Sequence, residues 1–277
     1  MRNEDQIIIL GVDALDFETV YDLGLGNLKQ ARCKKLAIPP ECYKDGQPYS
    51  PYCWESILTG RPAQASLGVY ESIYRNPALE WLYKRMGKYL RFIPGKKRLL
   101  ESVGFELDTA EKERLILRDT NTLFDLSENT EDFNVFHYSY GFVFNPYARL
   151  KDFDEQRRKM LLYAKAELEL VMAWLTSRRD QDLDIIMTYT RVLDWYGHYH
   201  YGKDVYYDFY MVLDKFVGGL SDGLEGTLII ISDHGMVADE KGIGTHTDTA
   251  FFSINRLYTR SPGSIDGLYH LVEGLMK

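Results

Sequence analysis

A chain of 277 residues with 45% apolar side chains can enclose one large core, and its formal net charge of −8 gives it no general attraction for polyanions. A stable complex with nucleic acid is therefore not expected, and any phosphate-handling site needs locally placed cations. Three cysteines (Cys33, Cys42 and Cys53) are too few and too irregularly spaced for a disulfide framework, which points to a reducing, cytoplasmic setting.

In chain order, IIILGV (7–12) reads as a strand that ends at Asp13. The run is shorter than the roughly 7–15 residues of a secretion-signal core, and no later stretch approaches the ~18 apolar residues of a transmembrane segment. KKLAIPP (34–40) reads as a second strand stopped by prolines, and a helix is expected over 54–60. Residues 75–118 break the pattern. They are helical and charged, interrupted by IPGKKR, and set basic side chains such as Lys84, Arg85 and Arg91 among Trp81, Tyr83 and Tyr89. This segment is expected to be a helical cap inserted in a single domain spanning 1–277. It is either a solvated face or a basic-aromatic lip (81–98) over an anionic substrate or a lipid headgroup surface.

FNVFHYS (133–139) is expected to be a third strand. Residues 153–177 space Met160, Ala164, Leu168, Val171 and Leu175 as one helical stripe, and residues 204–220 do the same with Val205, Phe209, Leu213, Phe216 and Leu220. LDIIMTYT (183–190), TLIIIS (227–232) and TAFFSIN (249–255) complete the strands. Continuous apolar strands alternating with amphipathic helices predict an α/β fold: a doubly wound, mostly parallel sheet with helices on both faces.

Such sheets bind ligands beyond the carboxyl ends of their strands. Asp13 follows the first strand there, Asp194 and His198 follow the fourth in RVLDWYGHYH, Asp233 and His234 follow the fifth in SDHGM, and His246 precedes the last in GTH. Asp194 and His198 are four apart, so a helix puts both on one face. Three carboxylates and three imidazoles are too many for one catalytic ion and about right for two, with Zn²⁺ the best match and Mn²⁺ or Mg²⁺ as alternatives. Ser50, at an apparent helix start, is either a simple cap or a nucleophile. Tyr52, Trp54, Trp195 and Tyr196 adjoin these positions and are either core or a stacking wall for a ligand. Arg61 and Arg191 are the nearest cations.

Together these residues resemble the alkaline phosphatase superfamily, and within it the type I phosphodiesterase/nucleotide pyrophosphatase branch. The resemblance rests on GVDAL, on Ser50 ten residues before the glycine of SILTG, and on DWYGH, SDHGM and GTH, spread over residues 9–253. It implies an alkaline phosphatase-like fold and hydrolysis of small phosphate esters, nucleotides among them, through a phosphoseryl intermediate on Ser50. It also implies two ion sites, one from Asp13, Ser50, Asp233 and His234 and the other from Asp194, His198 and His246. Cys53 stands where many of these enzymes place an asparagine that contacts the phosphoryl group, so Cys53 is a substrate-binding candidate alongside Tyr52, Trp54, Trp195 and Arg191. A phosphomonoesterase, phosphonate hydrolase, phosphotransferase or sulfatase of the same superfamily, or a metal-binding protein without turnover, are the alternatives. The arginine of the sulfatase pattern is missing after Ser50.

Overall fold

The computed structural model describes residues 5–63, 120–136, 138–139, 153–240, 242–258 and 261–277, and the expected cap over 75–118 lies outside them. Ten strands are described: β1 (Ile7–Val12), β2 (Arg32–Ala37), β3 (Tyr43–Lys44), β4 (Gln47–Pro48), β5 (Thr130–Phe133), β6 (Ile185–Thr190), β7 (Thr227–Ile231), β8 (Met236–Ala238), β9 (Gly244–His246) and β10 (Thr249–Ile254). The longer helices among the described residues are α1 (Phe17–Asp22), α2 (Gly26–Lys29), α3 (Ser50–Thr59), α4 (Phe153–Arg178), α5 (Val192–His200), α6 (Asp204–Ser221) and α7 (Gly267–Leu275). None of them is long and apolar enough to cross a membrane.

Six strands form one sheet in the order β2-β10-β7-β1-β6-β5, and β3-β4 and β8-β9 are small hairpins. β1 runs parallel to both β6 and β7, and β5 runs parallel to β6. β10 is antiparallel to both neighbours, so the sheet is mixed at that edge. The buried centre explains the sequence pattern: every residue of β1, β6 and β7 is enclosed, which selects the Ile-rich runs.

Alternation along β1 divides the core in two. Ile7 and Ile9 pack with Trp54, Ile57 and Leu58 of α3 and with Leu268 and Val272 of α7. Ile8, Leu10 and Val12 pack with Leu168 and Leu175 of α4, Val192 of α5, and Phe209 and Leu213 of α6. Gly11 lets α3 come close. A Cβ there would lie 2.7 Å from the Trp54 ring, so only a residue without a side chain leaves room for the indole against the strand.

Three boundaries differ from the sequence pattern. The third strand is Thr130–Phe133, not 133–139, because Asn134 turns into the left-handed region at φ 59° and ends it. As an edge strand covered from one side, it needs no continuous apolar run, and FNVF marks its exit rather than its body. The second strand is likewise earlier than expected, at Arg32–Ala37. The helix expected over 54–60 begins four residues sooner, at Ser50, because Pro51 is tolerated in a first turn.

Candidate active site

The carboxyl ends of β1, β6 and β7 converge on one spot. Asp13 directly follows β1, and Asp233 and His234 follow β7. α5 leaves the end of β6 and carries Asp194 and His198 on one face. α3 opens with Ser50, and the β8-β9 hairpin folds His246 back over the others. Gly244 makes that return possible: a Cβ there would lie 2.4 Å from the Gly197 carbonyl of α5.

All seven predicted ligand or nucleophile side chains meet. Ser50 Oγ lies 3.0 Å from His234 Nε2. The same nitrogen lies 3.3 Å from Asp233 Oδ2 and 3.5 Å from Asp13 Oδ1. Beside it, Asp194 Oδ1 lies 3.2 Å from both His198 Nε2 and His246 Nε2, which are themselves 3.2 Å apart. The His234 and His246 rings stack with centroids 3.7 Å apart, joining the two groups.

The backbone sets the imidazole tautomers. His198 Nδ1 donates to the Gly244 carbonyl at 3.0 Å, His234 Nδ1 to the Gly235 carbonyl at 3.0 Å, and His246 Nδ1 to the Pro48 carbonyl at 2.8 Å. A carbonyl only accepts, so each Nδ1 holds a proton and each Nε2 faces the cluster: that of His234 as an open lone pair, those of His198 and His246 as donors to Asp194. Three Nε2 atoms therefore point at three carboxylates in a small space. Asp13 Oδ1 and Asp233 Oδ2 are buried and have no hydrogen-bond partner among the described residues. This donor set fits divalent cations. Asp13, Asp233 and His234 offer one group of ligand atoms within 4.8 Å of each other, and Asp194, His234 and His246 offer another. His198 adjoins the second group through its 3.2 Å contacts.

The titration behaviour follows from this crowding. Burial, reinforced by the charge of Asp194, pushes Asp13 up to about 7 despite the hydrogen bond from Tyr189. Burial also raises Asp233 well above the usual carboxylate range, with Asp13 and Asp194 adding to it. Asp194 goes the other way. Burial raises it, but hydrogen bonds from His198 and His246 outweigh that and hold it well below its ordinary value. Burial lowers His198, and the hydrogen bond and charge of Asp194 more than reverse this, lifting it to about 9. His246 is raised by the same balance. His234 drops to about 3 through burial and the neighbouring His246 charge, so its Nε2 stays open.

The expected substrate wall is only partly in place. Cys53 and Trp54 are fully buried, because their face of α3 packs onto the sheet. Neither presents a surface to a ligand. Cys53 instead faces Cys42, its Sγ 4.0 Å from the Cys42 carbonyl. Trp195 is largely buried, with the Arg191 guanidinium over its ring at 5.2 Å. Tyr52 remains half-buried beside the site, edge-on to Tyr49 at 5.0 Å.

Two residues at the centre were not singled out from the sequence. Tyr189, inside a run that reads as plain strand, donates its hydroxyl to Asp13 Oδ2 at 2.5 Å. Glu167 accepts from Thr190 Oγ1 and from the Arg191 backbone, both at 2.9 Å, and so holds the start of α5. Glu167 did leave a trace: it is an acid on the apolar stripe of Ala164, Leu168 and Val171.

Among solved structures, the chain is similar to murine ectonucleotide pyrophosphatase/phosphodiesterase 5, with 12% identity and a TM-score of 0.43, over 85% of this chain and 58% of that one. It is also similar to the alkaline phosphatase of the Antarctic bacterium TAB5, with 12% identity and a TM-score of 0.43, over 98% of this chain and 97% of that one. No curated protein sequence matches. The family model described as type I phosphodiesterase/nucleotide pyrophosphatase matches residues 7–271, and the chain belongs to that family.

Proposed function

We propose that this chain hydrolyses small phosphodiesters or nucleotide pyrophosphates, with Ser50 as the nucleophile. The observation that carries this reading is the contact of Ser50 Oγ with the open Nε2 of His234, 3.0 Å apart, between Asp13 and Asp233. Asp13, Asp233, His234 and Ser50 would hold one divalent ion, and Asp194, His198 and His246 a second, with Zn²⁺ the best match to the donors. When bound, such ions supply positive charge for the phosphoryl oxygens and lower the pKa of a bound hydroxyl or water.

The chain's own residues do the rest. Ser50 sits at the positive end of the α3 dipole, where an anion is favoured. Its Oγ loses a proton and forms a bond to phosphorus as the opposite ester P–O bond breaks. The departing alcohol leaves with a proton. Water then adds to phosphorus as the P–Oγ bond breaks, releasing the phosphate product, and a proton from the water restores the Ser50 hydroxyl. The three free thiols accord with a cytoplasmic setting.

The test is turnover of bis-p-nitrophenyl phosphate against p-nitrophenyl phosphate, before and after chelation and metal add-back. Metal-dependent cleavage of the diester, abolished to background in Ser50→Ala, is the expected result. Preferred cleavage of the monoester would replace the diester reading with a phosphomonoesterase one. Full turnover after complete chelation would refute the metal assignment.

A further inference from the structure

Neither Trp54 nor Tyr189 reaches solvent, yet each places a polar hydrogen on Asp13. Tyr189 Oη donates to Oδ2 at 2.5 Å, and Trp54 Nε1 approaches the same oxygen at 3.4 Å. The two rings meet edge to face, with centroids 4.8 Å apart and planes at 79°, and each therefore fixes the other. Asp13 Oδ1 has no such donor and lies beside His234 Nε2. Asp233 is arranged the same way. Its Oδ1 is approached by the backbone N–H of Ala14 at 3.4 Å, and its Oδ2 is the oxygen left beside His234. Ala14 adopts a φ of 58° there, a conformation uncommon outside glycine.

A carboxylate can bind an ion through one oxygen or through both. We propose that Tyr189 and Trp54 are positioning residues that occupy Oδ2 and make Asp13 a single-oxygen ligand. With Asp233 restricted likewise, the cluster offers four donor atoms: Asp13 Oδ1, Asp233 Oδ2, His234 Nε2 and Ser50 Oγ. Four donors, one of them nitrogen, suit Zn²⁺, whereas Mg²⁺ and Mn²⁺ prefer more oxygen ligands. The Tyr189–Trp54 pair is thus a determinant of metal choice in the half of the site that holds the nucleophile.

This inference rests on the Asp13 cluster binding a metal, and the experiment separates the two claims. Zn²⁺, Mn²⁺ and Mg²⁺ affinities are measured by chelator competition on the full chain, wild type and Tyr189→Phe. His246→Ala, which removes a ligand from the other cluster, assigns the two binding steps. Tyr189→Phe keeps the ring contact with Trp54 and removes only the hydroxyl. The expected result is a loss of about 10–100-fold in Zn²⁺ affinity at the Asp13 cluster, with the other step unchanged. The preference for Zn²⁺ over Mn²⁺ should narrow at the same step. The Co²⁺-loaded variant should absorb more weakly in the visible than the wild type, because a second Asp13 oxygen joins the ion. Trp54→Phe, which removes the longer hydrogen bond, should shift the same quantities by less. Unchanged Zn²⁺ affinity and an unchanged Co²⁺ spectrum in Tyr189→Phe would overturn the inference, as would equal losses at both steps. A wild type that binds no metal would overturn the metal reading itself.

Discussion

Asp13, Asp233 and His234 share one nitrogen-centred contact point, so single substitutions there should separate chemistry from folding. His234→Ala leaves Asp13 and Asp233 facing each other with no imidazole between them, and should remove metal from both clusters because the His234 ring touches each. Metal content per chain, read by atomic emission, checks this; retention of both ions would contradict it. Asp13, Asp194, His198, Asp233 and His234 were legible in the sequence because they follow the short apolar strands β1, β6 and β7. Tyr189 was not, because alternation along a strand shows which face a ring joins but not what its hydroxyl meets. The carbonyls of Pro48, Gly235 and Gly244, which set the tautomers, were not legible either. Backbone groups leave no signature in residue type.

At the scale of elements, α5 is held at both ends. Glu167 of α4 ties down its start, and the β8-β9 hairpin presses on the turn that carries Gly197 and His198. Glu167→Ala would strand the Thr190 hydroxyl and the Arg191 N–H in a buried position, at a cost of about 1–3 kcal/mol. Glu167→Gln keeps an acceptor and should fall well short of that loss in urea unfolding. Equal losses in the two variants would show that the charge of Glu167, not its acceptor oxygen, matters. Gly244→Ala should separate β9 from α5, destabilise by roughly 1–3 kcal/mol and weaken the His198/His246 cluster. A Gly244→Ala protein with wild-type melting and metal content would contradict the close-packing argument. Elements buried on both sides were legible from their apolar runs. Edge strand β5 was displaced in the sequence reading because one-sided pairing relaxes the pattern that marks a strand.

For the whole molecule, the cluster links stability to pH and metal. His198 has a folded value of about 9, above its ordinary 6.5, so the stability it contributes is complete below pH 6.5 and is lost as pH rises through 9. Asp13, raised from 3.8 to about 7, costs stability as pH rises from 3.8, and that loss is complete once pH passes about 7. Chelated protein should therefore lose stability from pH 6.5 to 9. Added Zn²⁺ should stabilise it more strongly across the same range, because ligands bind metal in their deprotonated forms. Thermal melting at several pH values, with and without Zn²⁺, checks this; a Zn²⁺ effect that shrinks as pH rises would contradict it. The sheet order and the convergence of strand ends are why residues as far apart in sequence as Asp13 and His246 form one site.

The most direct test is a crystal of the full chain soaked with Zn²⁺ and measured at the zinc absorption edge. Two anomalous peaks are expected, one against Asp13, Asp233, His234 and Ser50 and the other against Asp194, His198 and His246. A single peak elsewhere, or none at these side chains, would contradict the assignment of this cluster as a two-metal phosphoryl-transfer centre.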